Sequence, residues 1–573
     1  MTATTPADDT LTADDQRDLD AAIEELRPGA ATWAELPLAQ RAELMRRTHR
    51  TIFDNAERWA ETAIAAKHVP AGPWEGEEWL SGPYAAGGNA LLLARSLEAL
   101  AAGRSPLDGV PTGTAPGGRT TLRVLPADLE ERTLLNGFTG EIWLRPGVGV
   151  DQARRDAGLG ARRVGENGGV GLVLGAGNIS AIGPLDVLYE LVAHNRASIL
   201  KLNPTFSSLL PVLTAALAPL VELGVLRIVN GGAAAGGYLA RHDGIDHVHI
   251  TGSGLTHDAI VWGTGPEATQ RRTDGTPALT KEITSELGGV APIIVVPGEW
   301  SEDDLRFQAE HVVTQRLQNC GHNCIAGQTL VLSRDWPQRE AFLDHVRAVL
   351  DRLPPREPWY PGSDRKIALA TDAYPAAEDR GGRLLIEVAE GTSQELFTTE
   401  YFAPVLGHTA LPGTGADFLR TAVAFANGTL DGTLGAGVIV APADRKAMGG
   451  AFDEAIAELR YGTIGINVWS AFGFLSPALP WGAFPGHTIA EVGSGIGVVH
   501  NARLVADTER AVVTGPFRPF PRSIAGGEAS LFPKPPWFVT ARTAASSARH
   551  MTAYGSRPGW LRMPRIFGSA FRG

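Results

Sequence analysis

Apolar positions near the start of the chain recur at the three- and four-residue spacing of amphipathic helices. This pattern predicts helices over residues 15–26, 38–65 and 89–102. Over 118–150 the spacing changes to the alternation typical of strands, in the segments TTLRVLP and GEIWLRPG. The chain is therefore expected to begin with helices and to continue into a β-hairpin.

Two later blocks each alternate short apolar strands with helices. The first covers about 166–268 and includes VGLVLG and ASILKLN, and the second covers about 283–467 and includes APIIVV and QTLVLS. Apolar runs of strand length between helices indicate parallel sheets that are covered on both faces. Because 573 residues are too many for one core, we expect an α/β fold of two domains with a cleft between them.

Composition and charge narrow the class of protein. Apolar residues make up 44% and charged residues 20%, as in soluble globular proteins. The acidic N-terminus lacks the features of a signal peptide and no apolar run reaches membrane-spanning length, so a cytoplasmic location is expected. The net charge of −12 argues against a nucleic-acid partner, and two cysteines are too few for a disulfide scaffold.

Both cysteines lie in one Gly- and Asn-rich segment, 318–328, between a predicted helix and a predicted strand. A cysteine in such a turn can be exposed and near backbone N–H groups, and both effects favour a nucleophilic thiolate. The alternatives are a small buried apolar residue, or a metal site of Cys320, His322 and Cys324. No metal is expected, because no second Cys/His cluster supplies a fourth ligand.

Glu286 in TSELGG and Asn178 in VLGAGN are candidates to act beside such a cysteine. A partly buried Glu with a raised pKa can activate water, although a lone Glu is more often a surface carboxylate. The Gly-x-Gly before Asn178 is only half of a dinucleotide fingerprint, because Ser180 stands where the third glycine belongs. The Asn178 amide could instead donate to a developing oxyanion.

Two further segments have the chemistry of phosphate or ribose binding. Lys201 ends a predicted strand, and Gly252 and Ser253 follow another strand, HVHI, at the start of a helix. A Gly-Ser turn that leads into a helix offers backbone N–H groups to a phosphate. Each of these features alone is also ordinary turn chemistry.

In this order along the chain, the segments resemble the aldehyde dehydrogenase superfamily over roughly residues 20–500. The Asn-x-Gly-x-x-Cys pattern of that family ends here at Cys324, with His322 in place of the usual Gln. Further similar segments are ELGG at 286–289, EYFAP at 400–404, GTIGIN at 462–467, PWG at 480–482 and SGIG at 494–497.

The resemblance implies an architecture of three parts and a homodimer or homotetramer. The parts are a variant Rossmann cofactor domain, an α/β catalytic domain and an oligomerisation hairpin that pairs with a partner subunit. The ranges are 1–117 and 166–280 for the cofactor domain, 118–165 and 498–506 for the hairpin and its strand, 281–497 for the catalytic domain, and 507–573 for a C-terminal extension.

The resemblance also implies oxidation of a small-molecule aldehyde to a carboxylic acid with NAD or NADP. Cys324 would attack the carbonyl carbon, the Asn178 amide and the Cys324 N–H would hold the oxyanion, and Glu286 would activate water. The residues expected to bind the cofactor are Lys201, Gly252, Ser253, Glu400 and Phe402.

Several alternatives stay open at this point. Transfer of the acyl group to coenzyme A is opposed by Glu286, and a non-catalytic role is opposed by the presence of both Cys324 and Glu286. Pro204 stands where the family often has a Glu, so the preference between NAD and NADP is open. The aromatic segment 469–474 favours a long-chain or aromatic aldehyde, and plain loop packing is the other interpretation.

The extension 507–573 has no counterpart in the family pattern. From Gly515 onward it contains nine basic residues and one acid, and it is rich in proline and aromatic residues. Packing at a subunit interface, a lid over the substrate mouth, and contact with an anionic membrane are the competing roles. Because its short apolar runs and prolines do not predict an amphipathic helix, we favour packing on the acidic surface of the enzyme itself.

Overall fold

In the computed structural model, which describes residues 10–573, the strands form two large sheets and one short pair. The strands are β1 (Thr112–Ala115), β2 (Arg119–Leu125), β3 (Thr139–Leu144), β4 (Val170–Leu174), β5 (Ala197–Lys201), β6 (Leu226–Val229), β7 (His247–Gly252), β8 (Glu282–Leu287), β9 (Ala291–Val295), β10 (Gly327–Ser333), β11 (Glu378–Asp379), β12 (Leu384–Glu387), β13 (Val405–Leu411), β14 (Gly435–Ile439), β15 (Thr463–Ile466), β16 (Trp481–Gly482), β17 (Gly495–Ile496), β18 (Val498–His500) and β19 (Thr508–Thr514).

Helices cover the faces of both sheets. They are α1 (Ala13–Glu35), α2 (Leu38–Asp54), α3 (Ala56–Ala66), α4 (Gly76–Trp79), α5 (Ala85–Ala101), α6 (Leu129–Leu134), α7 (Val150–Asp156), α8 (Ile182–His194), α9 (Leu210–Ala216), α10 (Ala218–Glu222), α11 (Ala233–Arg241), α12 (Gly254–Val261), α13 (Pro266–Asp274), α14 (Glu302–Leu317), α15 (Arg339–Arg352), α16 (Ser363–Ala373), α17 (Gly415–Gly428), α18 (Pro442–Met448), α19 (Gly450–Glu458), α20 (Ala471–Leu475), α21 (Arg522–Ala525), α22 (Ala544–Ser556) and α23 (Met563–Ala570).

The helices predicted near the start of the chain are present with different bounds. A capping box starts α1: Thr12 Oγ1 accepts a hydrogen bond from the Asp15 N–H at 3.1 Å, and the Asp15 carboxylate accepts from the Thr12 N–H at 2.9 Å. The single helix predicted over 38–65 is two helices, because the chain leaves helical geometry at Asn55, where its amide donates to the Thr51 carbonyl.

The six-stranded sheet has the order β17-β8-β7-β4-β5-β6, and its strands are parallel except for the short β17. The strand order reverses between β4 and β7, and ligands of such sheets bind outside the carboxyl ends of the strands at that reversal. The sheet extends through β8 to Leu287 and includes β17, so it takes in residues beyond the predicted cofactor-domain limit of 280.

The eleven-stranded sheet has the order β1-β2-β3-β19-β15-β14-β9-β10-β13-β12-β11. The hairpin strands β2 and β3 are antiparallel, and β19 joins β3 to the parallel strand β15 of the same chain. The strand predicted beside the hairpin at 498–506 was misplaced. Strand β18 pairs with β16 instead, and the chain then turns where the Asn501 side chain bonds both backbone groups of Val505.

The extension is more ordered than its sequence suggests, and the prediction that it has no amphipathic helix is wrong. Its prolines lie between or at the starts of elements, and Pro564 occupies the first turn of α23, where proline is tolerated. One face of α22 carries buried Ala544, Ala548 and Met551. Within residues 10–573 no helix is both long and apolar enough to span a membrane.

The extension packs on acidic residues of the same chain, which is the arrangement that the sequence analysis favours. Arg518 and Arg522 both contact Asp304 at the start of α14, at 2.8 and 2.7 Å. Lys534 contacts Glu310 at 2.8 Å on the same helix. The positive extension is thus neutralised by acids of the chain on which it lies.

Candidate active site

Cys324 lies in a loop between α14 and β10 whose backbone is unusual. Asn319 and Cys320 both have positive φ, near 54° and 56°, a strained conformation for residues with side chains. The strain is held by buried partners: the Asn319 N–H donates to Glu77 Oε1 at 3.1 Å, and Arg316 donates to the Gly321 carbonyl at 2.7 Å. This loop fixes where the Cys324 side chain lies.

Cys324 and Glu286 contact each other directly. Glu286, near the end of β8, is 1% exposed, and its Oε1 accepts a hydrogen bond from Cys324 Sγ at 2.9 Å. Burial raises the pKa of Glu286 to about 7. Burial, and next the charge of Glu286, raise the pKa of the Cys324 thiol well above its ordinary value.

This pair both supports and corrects the sequence analysis. Glu286 is buried with a raised pKa, as a base for water activation should be. The expected thiolate is not favoured in the free chain, because a neighbouring carboxylate and burial both oppose a second negative charge. The proton therefore stays on Cys324 until a carbonyl carbon is present to accept the sulfur.

Asn178 completes the group around the sulfur. It lies in the turn after β4, is 6% exposed, and its Nδ2 donates to the His322 carbonyl at 3.0 Å. Asn178, Glu286 and Cys324 line both of two cavities that meet at this point. The sequence-predicted catalytic residues are therefore brought together by the structure.

The first cavity, called the polar cleft here because it is the more polar of the two, has a volume of about 560 Å³ and lies at the carboxyl ends of β4, β5 and β7. Ser253 starts α12, and its Oγ accepts a hydrogen bond from the Thr256 N–H at 3.2 Å. Lys201 Nζ donates to the Gly231 carbonyl at 2.8 Å. The structure places all the residues expected to bind a cofactor on this cleft: Lys201, Gly252, Ser253, Glu400 and Phe402.

The cleft has the features that a dinucleotide requires. Burial raises the pKa of Glu400 to about 7, and its Oε1 has no hydrogen-bond partner among the described residues. A ribose hydroxyl is a suitable donor for such an oxygen. Gly288 beside it must lack a side chain, because a Cβ there would collide with the Glu400 carboxylate. The residues present thus fit NAD or NADP.

The second cavity, of about 70 Å³, lies on the opposite side of Cys324 and is almost entirely apolar. The aromatic segment singled out in the sequence contributes Trp469, Phe472 and Phe474 to its wall. Trp469 is fixed by a hydrogen bond from its Nε1 to the Ile325 carbonyl at 3.1 Å. Glu77 also lines this cavity, but its two oxygens accept from the Asn319 N–H and from Arg356.

Sequence reasoning missed several residues of the two cavities. Tyr360 lines the polar cleft, and Trp74 and Glu77 line the apolar cavity, although none belongs to a motif. The extension also reaches the apolar cavity, with Trp537 among its contributions. The one available signal was the aromatic run FPKPPWF in the extension.

The three side chains of the alternative metal site point to different partners. Cys320 lies against the Arg356 carbonyl, and His322 Nε2 is 2.8 Å from Ser363 Oγ. Burial lowers the pKa of His322 to about 3. Over residues 10–573 no group of three or more His, Cys, Asp or Glu side chains is arranged to hold a metal ion.

The sequence and structure were compared with known proteins, and a protein-family model matches part of the chain. Residues 185–365 match the model of the aldehyde dehydrogenase family. The chain is 27% identical over 289 residues to an aminoacetaldehyde dehydrogenase of Pseudomonas aeruginosa, and this alignment covers 46% of the chain and 51% of that protein. The chain spans about half, or less, of the length of the curated relatives it matches.

Solved structures show the same fold. One is an NADP-dependent glyceraldehyde-3-phosphate dehydrogenase of Bacillus halodurans in complex with NADP, with a TM-score of 0.55, 18% identity, and 87% of this chain and 91% of that chain covered. Another is a variant of aldehyde dehydrogenase C of Pseudomonas syringae with NAD+ and octanal, with a TM-score of 0.56, 17% identity, and coverage of 88% and 90%.

Proposed function

We propose that the chain is a member of the aldehyde dehydrogenase superfamily, whose family model matches residues 185–365, and that it oxidises an apolar aldehyde to a carboxylic acid with NAD or NADP. One observation carries the proposal: the Cys324–Glu286 pair stands where a polar cleft and an apolar cavity meet. The cleft suits a dinucleotide, and the cavity suits an apolar substrate whose carbonyl group reaches Cys324.

The first chemical step follows from the contact between the two side chains. Cys324 Sγ attacks the carbonyl carbon, and its proton passes to Glu286 Oε1, which it already contacts at 2.9 Å. The carbonyl oxygen becomes an oxyanion, for which the Asn178 amide and the Cys324 N–H are the donors. Because Glu286 has a pKa of about 7, it can take this proton near neutral pH.

When bound, the nicotinamide supplies the acceptor for the hydride that leaves the substrate carbon. Glu286 then releases the thiol proton to solvent through the cleft, whose wall it forms, and removes a proton from the water that attacks the thioester carbon. The C–S bond breaks, the carboxylic acid leaves, and the sulfur of Cys324 takes the proton back from Glu286. Burial keeps Glu286 away from bulk water, which is consistent with a base that acts only on a water molecule inside the site.

The test is the rate of nicotinamide reduction with NAD and with NADP, across acetaldehyde, octanal and benzaldehyde. We expect turnover by the wild-type chain and a loss of about 10³-fold or more in Cys324→Ser. Cys320→Ser is the matched control, because Cys320 is buried against Arg356 outside both cavities. Absence of turnover with every aldehyde, while Cys324 reacts with a thiol reagent, would contradict the proposal.

A further inference from the structure

The C-terminal extension forms part of the wall of the apolar cavity. Residues 536–539 and Ala544 line the same cavity as Cys324 and Glu286. These residues contribute Pro, Trp, Phe, Val and Ala side chains, while the nearby basic side chain of Lys534 is paired with Glu310. The extension therefore presents an apolar surface to the cavity although its overall charge is positive.

Backbone hydrogen bonds fix this segment on the body of the protein. Trp74 Nε1 donates to the Val539 carbonyl at 3.1 Å, and the Val539 N–H donates to Thr314 Oγ1 at 3.2 Å. Phe538 stacks on Phe307 and on His311, with ring centroids 5.3 and 5.5 Å apart. Both sides of the segment are thus anchored, one on residues before α4 and the other on α14.

Trp537 is the largest side chain that the extension contributes to the cavity. Its ring centroid lies 5.7 Å from that of Phe472 in the aromatic segment 469–474 and 6.1 Å from that of Phe138, near the hairpin. Phe532 of the extension packs against it as well, also at 6.1 Å. Rings in such a cluster contribute packing energy beyond the area they bury, so Trp537 is a fixed wall.

We propose that the extension selects the substrate: Trp537 and Val539 give the apolar cavity a narrow cross-section that accepts an unbranched alkyl aldehyde and excludes fused aromatic and polar aldehydes. This inference rests on the function proposed above. In a narrow apolar cavity, each buried methylene of a linear chain adds to the binding free energy, and groups wider than the cavity are excluded.

The test compares Trp537→Ala with Trp560→Ala, an exposed tryptophan of the same extension that does not line the cavity. We expect Trp537→Ala to change kcat/KM for naphthaldehyde relative to octanal by about tenfold or more in favour of naphthaldehyde. A urea unfolding midpoint close to that of the wild type reports that each variant is folded, and the ratio of the two kcat/KM values, rather than either value alone, is the readout. An unchanged ratio, or the same change in Trp560→Ala, would overturn the proposal.

A measurement that needs no turnover separates this inference from the proposed function. In a Cys320→Ser background, Cys324 is alkylated by iodoacetamide and by a naphthyl-substituted maleimide, and the two rates are compared with saturating NAD present to occupy the polar cleft, which also borders Cys324. Trp537→Ala should accelerate the bulky reagent selectively. If no aldehyde is oxidised but this acceleration is seen, the proposed function is wrong, and the inference that Trp537 restricts access to Cys324 is supported. If Trp537→Ala leaves the ratio of labelling rates unchanged, or if the control Trp560→Ala changes it equally, the proposal that Trp537 forms the wall is refuted.

Discussion

The two cavities that meet at Cys324 are built in different ways. The polar cleft is lined mostly by residues of one sheet and its loops, between Leu174 and Gly288, with a few additions near Tyr360 and Glu400. The apolar cavity draws on separate parts of the chain, including the extension. The surface for the cofactor thus stands mainly on one sheet, to which Cys324 is brought by the loop before β10 of the other sheet, whereas the surface for the substrate is assembled from parts that can vary independently.

The charges of the two sides differ as well. The cleft contains Glu286 and Glu400 near Cys324, and Lys201 and Arg241 elsewhere on its wall. On the apolar side the charged wall residues are Glu286 at the sulfur and Glu77, whose oxygens are already used by Asn319 and Arg356. A substrate that enters this side finds no charge to pair with before it reaches Cys324.

Glu286→Gln changes a residue that lines both cavities where they meet, and it should have the largest effect. We expect kcat to fall by about 10³-fold with every aldehyde, because the amide can accept neither the thiol proton nor a proton from water. The same change removes the charge that raises the pKa of Cys324, so the pH midpoint of Cys324 alkylation should move down. A midpoint that stays in place would contradict the contact between the two side chains.

Asn178→Ala should lower kcat by about 10²–10³-fold, because one donor to the oxyanion is lost. Steady-state kinetics with octanal and acetaldehyde provide the measurement. Since Asn178 lines both cavities, the loss should be equal for the two aldehydes. A loss confined to octanal would show that Asn178 serves only the apolar side.

Arg518→Met tests the apolar side alone, because it removes a partner of buried Asp304. We expect the free energy of unfolding in urea to fall by about 1–3 kcal/mol, with reduced selectivity for octanal and an unchanged KM for the cofactor. Exposed Arg557→Met is the matched control. An equal loss of stability in the control would show that the ion pair at Asp304 is not the cause.

The ion pair between Arg518 and Asp304 also gives the loss of stability in Arg518→Met a defined pH dependence. Burial alone would raise the pKa of Asp304, but its bonds to Arg518 and Ser301 and the charge of Arg522 hold the pKa below the ordinary value. A depressed folded-state pKa stabilises the protein above the ordinary pKa and loses that contribution as the pH falls. The difference in stability between wild type and Arg518→Met should therefore shrink in acid.

Asp186→Asn should have the smallest effect, because Asp186 lines neither cavity and acts on Glu286 through its charge. Wild-type kcat should rise with pH through about 7 as Glu286 loses its proton. The charge of Asp186 is one of the causes that raise the pKa of Glu286, so the midpoint should move to lower pH in the variant, with less than about a tenfold change in kcat at any pH. An upward movement would contradict this sign.

The sequence predicts the polar cleft better than the apolar cavity, for a physical reason. Lys201 ends one strand and Ser253 follows another, and both strands are recognisable as apolar runs in the sequence. Because parallel strands bring their carboxyl ends to one edge of the sheet, the grouping of these residues follows from the strands. The position of Trp537 depends instead on where the extension docks. That docking is decided by contacts such as Trp74 with Val539 and Arg518 with Asp304, which no local pattern encodes.

The strand beside the hairpin is a second case in which local sequence patterns do not determine a long-range contact. Both 498–506 and β19 contain apolar residues suited to a strand. Asn501 ends the first by closing a turn with its own side chain, and Ala511 and Val513 of the second are buried in the middle of the large sheet. Local propensity allowed either pairing, and tertiary packing selected one of them.

The hydrogen bond between Trp74 and Val539 joins residues 465 positions apart in the chain. Contacts between residues far apart in the chain form only after the intervening chain has brought their partners together. We therefore expect the wall that the extension gives to the apolar cavity to assemble after the body on which it docks. Before the wall forms, the Cys324 thiol lacks that cover, and we expect it to be oxidised more readily then than in the folded chain.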